Sequence, residues 1–128
     1  MKAHYATFEQ SKLLKEKGFD NIECSGYYHI CVGYKIGYAF CYSNINKQSD
    51  SVLLAPEKWQ VIEWLRINHG IWVSPGIITL NGVVKWFPRY FKFANALLEI
   101  PKDIDGNFDT PQEAYSAAFD YIINNNLI

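Results

Sequence analysis

The sequence predicts an α+β fold, an antiparallel sheet of two hairpins with about three helices packed on one face, in the order α-ββ-α-ββ-α. Three observations carry this reading. Threonines followed three residues later by Gln or Glu, at Thr7 and Thr110, mark two helix starts. Val61, Ile62, Trp64 and Leu65 recur at helical spacing between Pro56 and Gly70. Asn81-Gly82 separates two β-branched runs, and both central positions of the tightest hairpin turn require positive φ. Strand runs do not alternate singly with helices, so a parallel, Rossmann-like sheet is not expected.

The first helix begins where the Thr7 hydroxyl can cap the Gln10 amide while the Gln10 side chain reaches back. Leu13 and Leu14 form its apolar side, Lys12, Lys15 and Lys17 solvate the rest, and Gly18 can end it in the left-handed conformation. From Tyr27 to Ser43, two β-rich runs flank Gly33-Tyr34-Lys35-Ile36-Gly37 and read as a hairpin. Asn44 to Ser51 is polar without a face to bury and reads as a loop. Pro56 suits the first position of the second helix, because its missing amide hydrogen would be unpaired there anyway. Ile71-Trp72-Val73 starts a strand, Ser74-Pro75-Gly76 interrupts it, and Ile77 to Leu80 turns at Asn81-Gly82 into Val83-Val84-Lys85-Trp86. Ala94 to Ile100 is read as a helical turn or two, followed by an Asp/Gly/Asn-rich loop up to Asp109. Thr110-Pro111-Gln112-Glu113 opens the last helix, with Ala114, Ala118, Tyr121 and Ile122 along its apolar side.

A chain of 128 residues without an abrupt change of composition is expected to form one domain over 1–128. With 49% hydrophobic and 16% aromatic residues it can bury a core without disulfides, metal or cofactor. Twelve basic against thirteen acidic residues leave a net charge of -1, which supplies no global field to attract duplex DNA or an anionic membrane. The odd set Cys24, Cys31 and Cys41, with no apolar secretory stretch after Met1, points to the reducing cytoplasm. Lys, Arg, Asn and Gly interrupt every hydrophobic stretch before the roughly 20 residues a bilayer span needs.

The segment Lys85-Trp86-Phe87-Pro88-Arg89-Tyr90-Phe91-Lys92-Phe93 interleaves basic and aromatic side chains, a combination that can neutralise phosphates and stack bases. Lys85, Trp86, Arg89, Tyr90 and Lys92 are therefore the candidate ligand-binding residues. In one extended strand Lys85, Phe87, Arg89, Phe91 and Phe93 would share a face, leaving Trp86, Tyr90 and Lys92 on the other. Pro88 argues for an edge or a bulge, and an edge strand with basic residues discouraging further pairing explains the same composition.

Other constellations carry less. His29 and Cys31 point to one face of a strand and, with Cys24 and Cys41, could supply a nucleophile pair or a zinc site, but their spacing matches neither. Buried structural cysteines are the favoured reading. Aligning Gly106 with the glycine of a calcium loop puts Asp103, Asp105 and Asp109 on ligand positions, yet Pro101 and Gln112 replace the first and last carboxylates. A connector feeding the Thr110 cap accounts for that stretch. Trp59, Trp64 and Trp72 are read as core or interface side chains. Tyr27, Tyr28, Tyr34, Tyr38 and Tyr42 crowd the first hairpin on both faces, so some are expected on the surface. His69 is read as a cationic cap at a helix C-terminus. A phosphate-binding glycine loop, G-x-S-x-G and H-E-x-x-H are all missing from the sequence, which withdraws support from the common enzyme classes.

Thr7-Phe8-Glu9-Gln10 with Leu13-Leu14-Lys15-Glu16-Lys17-Gly18-Phe19, Ala55-Pro56 with Glu63-Trp64-Leu65-Arg66 and His69-Gly70-Ile71, and Pro111-Gln112-Glu113-Ala114-Tyr115 together span most of the chain. In these segments the chain resembles small uncharacterised proteins from phages and prophages of gut Bacteroidetes. The shared motifs are helix caps and core positions, so the resemblance implies a phage or prophage origin and carries over no catalytic or ligand residue.

The expectation is a non-catalytic accessory protein that binds a protein partner through exposed aromatics of its sheet, self-association being one form of this. A small-ligand binder is the alternative, for example one sequestering a nucleotide signal, with Lys85, Arg89 and Lys92 on phosphates and Trp86 or Tyr90 stacking a base. A Cys/His enzyme built on Cys31 and His29 is the third reading and needs the two side chains within hydrogen-bond reach.

Overall fold

The computed structural model describes residues 4–20, 22–31, 37–94, 97–98 and 100–128, and its helices and antiparallel strands make the α+β class expected, broadly in the order α-ββ-α-ββ-α. Backbone contacts separate the chain into two units, Met1–Val61 and Ile62–Ile128.

In the first unit, α1 (Phe8–Glu16) starts at the expected box: Thr7 Oγ1 accepts from the Gln10 amide at 3.1 Å and Gln10 Oε1 accepts from the Thr7 amide at 3.0 Å. Gly18, at φ +96°, turns the chain away after it. The expected first hairpin is β1 (Cys24–Cys31) with β2 (Gly37–Ile45), in a register that sets Tyr28 opposite Phe40 and His29 opposite Ala39. Of its expected turn, Gly33 to Gly37, positions 33–36 lie outside the described residues and Gly37 begins β2. Asn44 and Ile45, read as loop, belong to β2 because β1 begins at Cys24 and offers Ile45 a partner.

A third strand, β3 (Val52–Leu54), was not expected; it pairs with the other edge of β1, setting Leu53 opposite Tyr28. Three residues are too few to show a period, and only pairing reveals them. Tyr5, Tyr28, Leu53 and Ala55 form a buried core cluster of this unit, with Phe8, Ile30 and Phe40 packed against it. Tyr28 Oη donates to the Ala6 carbonyl at 2.7 Å inside this core.

The second helix, α2 (Lys58–His69), starts two residues later than Pro56 suggests. Pro56 is buried and its carbonyl accepts from the Ala6 amide at 2.8 Å, while Glu57 bridges to Tyr5. Those extended contacts hold both residues out of the helix, and Gln60 Oε1 then accepts from the Glu57 amide at 2.9 Å in the manner of a cap.

In the second unit α2 ends at Gly70, φ +64°, and among the described residues six strands follow: β4 (Ile71–Val73), β5 (Gly76–Leu80), β6 (Val83–Phe87), β7 (Arg89–Ala94), β8 (Leu97–Leu98) and β9 (Lys102–Asp103). The Asn81-Gly82 turn forms as read, at φ 52° and 78°. Strand β7 is the hub, pairing antiparallel with β4, β8 and β9. Within the stretch Ala94 to Ile100, expected to hold a helical turn or two, Leu97 and Leu98 form β8 by closing a ladder onto Ala94 and Phe93, while residues 95, 96 and 99 lie outside the described residues.

The two hairpins do not share one sheet. The first joins β3 in a sheet of order β2-β1-β3, and β5-β6 form a ladder of their own beside β4-β7-β8. Pro88 makes the break: it has no amide hydrogen to continue β6 into β7, and its buried carbonyl accepts from the Ile104 amide at 2.9 Å. Helix α3 (Pro111–Asn124) packs on β6 and buries Ala114, Ala118, Phe119, Ile122 and Ile123. Its cap differs from the expected box in one respect: Thr110 Oγ1 accepts from the Glu113 amide at 3.3 Å, but the Glu113 carboxylate accepts a hydrogen bond from the threonine hydroxyl at 3.0 Å. Among the described residues no helix is long and apolar enough to cross a membrane.

Candidate functional site

The strand alternation expected along Lys85 to Phe93 passes through Pro88, although the strand itself does not. Phe87, Arg89 and Phe91 lie on one side, and the Arg89 guanidinium carbon sits 5.8 Å from the Phe87 ring centre and 5.3 Å from that of Phe91. Arg89 Nε donates to the Ser74 carbonyl at 2.9 Å, which fixes the guanidinium between the two rings. Across the ladder Trp72 is the register partner of Phe91, so it projects on the same side. The Trp72 and Phe93 rings stack at 6.2 Å with 27° between their planes, and they remain 44% and 41% exposed. The result is a stripe of Phe87, Arg89, Phe91, Trp72 and Phe93 facing out of the sheet.

The five candidate residues do not all come together: Tyr90 and Lys92 line one depression, while Lys85, Trp86 and Arg89 are held elsewhere. Arg89 lies in the stripe. Tyr90 points to the opposite side, is buried, and meets Tyr121 of α3 at 6.1 Å between ring centres. Burial, and then the neighbouring Tyr121, push its phenol above the ordinary value. Lys85 is ion-paired with Asp109, which spends its charge inside the unit. Trp86 is half-buried and bridged to Phe108, donating to its carbonyl at 2.8 Å and accepting from its amide at 2.7 Å. Lys92 is exposed and, with Tyr90, Ile100 and Lys102, lines a separate depression of about 250 Å³.

The remaining constellations also disperse. Cys24 is buried, and burial followed by the nearby Glu57 carboxylate pushes its thiol up to about 12, far from a nucleophile's range. His29 is exposed, while the Cys31 side chain lies outside the described residues. Of the carboxylates in the supposed calcium loop, Asp109 is held by Lys85, and Asp103 belongs to β9, in register with Arg89. Among the described residues no group of three His, Cys, Asp or Glu side chains is placed to hold a metal. His69 lies in the last turn of α2 as read; its ring meets Trp64 at 4.8 Å, and partial desolvation lowers its pKa, in the direction opposite to the pull of the helix dipole.

A second aromatic surface lies in the first unit, on the expected tyrosine-rich hairpin. Tyr38 stacks on Phe8 at 4.0 Å and Tyr42 meets Phe40 edge-on at 4.7 Å, leaving these tyrosines 51% and 61% exposed. Their neighbours Tyr28 and Phe40 carry the packing beneath.

Trp72, read as a core or interface side chain, and Phe93, the last residue of the basic-aromatic run, stand outside the five candidate ligand-binding residues. The signal for Trp72 was present in Ile71-Trp72-Val73, where two buried β-branched residues flank an outward indole. No protein-family model, curated protein or solved structure matches the chain.

Proposed function

We propose that this chain is a non-catalytic, phage-type accessory protein that works in the cytoplasm by binding a protein partner, and that the Phe87–Arg89–Phe91–Trp72–Phe93 stripe is the docking surface. The observation that carries this is the exposed Trp72–Phe93 stack beside an arginine fixed between two phenylalanines. Trp and Arg are the side chains that most often dominate interface energetics, and an arginine already ordered by Ser74 loses little further entropy on docking. A slot closed around a small ligand needs convergent polar groups; along this stripe the aromatic rings face outward instead.

The test is site-specific photo-crosslinking in cells that carry the protein, with the photoreactive residue at Phe93 or, as a control, at Ile67, which is 67% exposed on α2. The reading requires one partner captured at Phe93 and lost when Trp72 is replaced by alanine. Equal capture from both positions, or capture indifferent to Trp72→Ala, rejects it.

The alternative, a small anionic ligand such as a nucleotide, is favoured by one observation, the depression lined by Lys92, Tyr90 and its register partner Lys102. Native mass spectrometry of gently purified protein separates the two readings, since a retained mass abolished by Lys92→Ala and Lys102→Ala would put the ligand first.

A further inference from the structure

The β5-β6 ladder is sparsely covered. Ile77, Ile78, Leu80, Val83 and Val84 are all between 40% and 59% exposed. The register places Ile77 and Val84 on one face and Ile78, Leu80 and Val83 on the other, so both faces carry apolar side chains in water. An antiparallel sheet ordinarily keeps one face polar, and a two-stranded ribbon alone is marginal in stability. Docking a partner on either face would leave the other unchanged. Adding a strand at the edge gives side chains on both faces new cross-strand neighbours at once.

That edge is available. Strand β6 is bridged at Trp86 to Phe108, but among the described residues β5 pairs with β6 alone. It also lacks the devices that keep edges apart, because Ile77 to Val84 contains no charge and no proline. We propose that β5 pairs antiparallel with β5 of a second copy about a two-fold axis at Ile78, giving one sheet of order β6-β5-β5-β6 across two chains. A two-fold pairing sets Ile78 against itself and Ile77 against Thr79 of the second chain. Self-juxtaposition of this kind is costly for a charged strand and free of repulsion for a neutral one, which is why a second copy fits this edge. The inference uses residues outside the Trp72–Phe93 stripe and stands or falls independently of the partner proposed for it.

The experiment is sedimentation velocity of the full chain over a wide concentration range. The expected result is twice the mass of one chain at high concentration, returning to one chain on dilution. A single-chain mass at every concentration overturns the proposal without reliance on any variant. Ile78→Lys and Ile78→Glu should each be monomeric alone, with circular dichroism unchanged, and an equimolar mixture should regain the double mass because the axis puts position 78 opposite itself. A charged variant that still dimerises, or a mixture of folded variants that stays monomeric, overturns the pairing.

Discussion

The Phe87 ring covers Gly76, its register partner in the β5-β6 ladder, and occupies the space that a β-carbon at position 76 would need. Glycine there is a packing requirement, since the overlapping atoms belong to a ring wedged beside the Arg89 guanidinium and cannot swing freely. Gly76→Ala should destabilise the chain by about 1–3 kcal/mol in urea denaturation, the usual cost of overpacking. In a Phe87→Leu background the same change should cost much less, because the obstruction is gone. An equal cost in both backgrounds would place the strain in the backbone and not in the ring.

Tyr28 links the first sheet to the segment before α1 through its hydrogen bond to the Ala6 carbonyl at 2.7 Å. Tyr28→Phe leaves that buried carbonyl without its donor and should cost about 1–3 kcal/mol. Burial, with Tyr38 adding to it, pushes the Tyr28 phenol from 10.0 up to about 12. The folded state therefore holds this proton more tightly than the unfolded chain. The resulting stability is fully present below pH 10 and is lost as pH rises toward 12, so wild type should lose stability over that window more steeply than Tyr28→Phe. Parallel alkaline curves for the two proteins would remove Tyr28 as the cause.

Cys24 and Cys41 should separate cleanly in alkylation. Only the thiolate reacts, and Cys24 is both buried and pushed to about 12, whereas Cys41 is partly open to solvent. Iodoacetamide at mildly alkaline pH should label Cys41 in the folded protein and reach Cys24 only after denaturant is added, as read by peptide mass spectrometry. Labelling of native Cys24 at the rate of Cys41 would revive cysteine chemistry in the first unit.

Local chemistry made part of this architecture readable and tertiary pairing hid the rest. The Thr7 box, the Thr110 cap and the Asn81-Gly82 turn were legible because each is complete within four residues. Strands β3, β8 and β9, of two or three residues, exist only through their partners, so no period announces them. The α2 boundary moved because the Pro56 carbonyl is taken by Ala6, some fifty residues earlier in the chain. The basic-aromatic run was visible, but its partition was not: the Lys85–Asp109 pair spans 24 residues, and Tyr90 is turned inward to meet Tyr121. What alternation did transmit was the shared side of Phe87, Arg89 and Phe91, the core of the stripe.

His69 gives a pH signature opposite to that of a helix-capping cation. A charged C-terminal histidine is stabilised by the dipole and has a raised pKa. Here the contact with Trp64 removes water from one side of the ring, and the pKa falls below 6.5. The unfolded chain then binds this proton more readily than the folded one, so the contribution of His69 to stability is present above pH 6.5 and is lost as pH falls through the lower folded value. His69→Gln should flatten the stability profile on the acid side of neutrality while leaving it unchanged on the alkaline side. Proton NMR of the imidazole should show a midpoint below that of a free histidine peptide, and Trp64→Leu should move it back up. A midpoint above the peptide value would mean that the dipole outweighs desolvation and that His69 acts as a cationic cap after all.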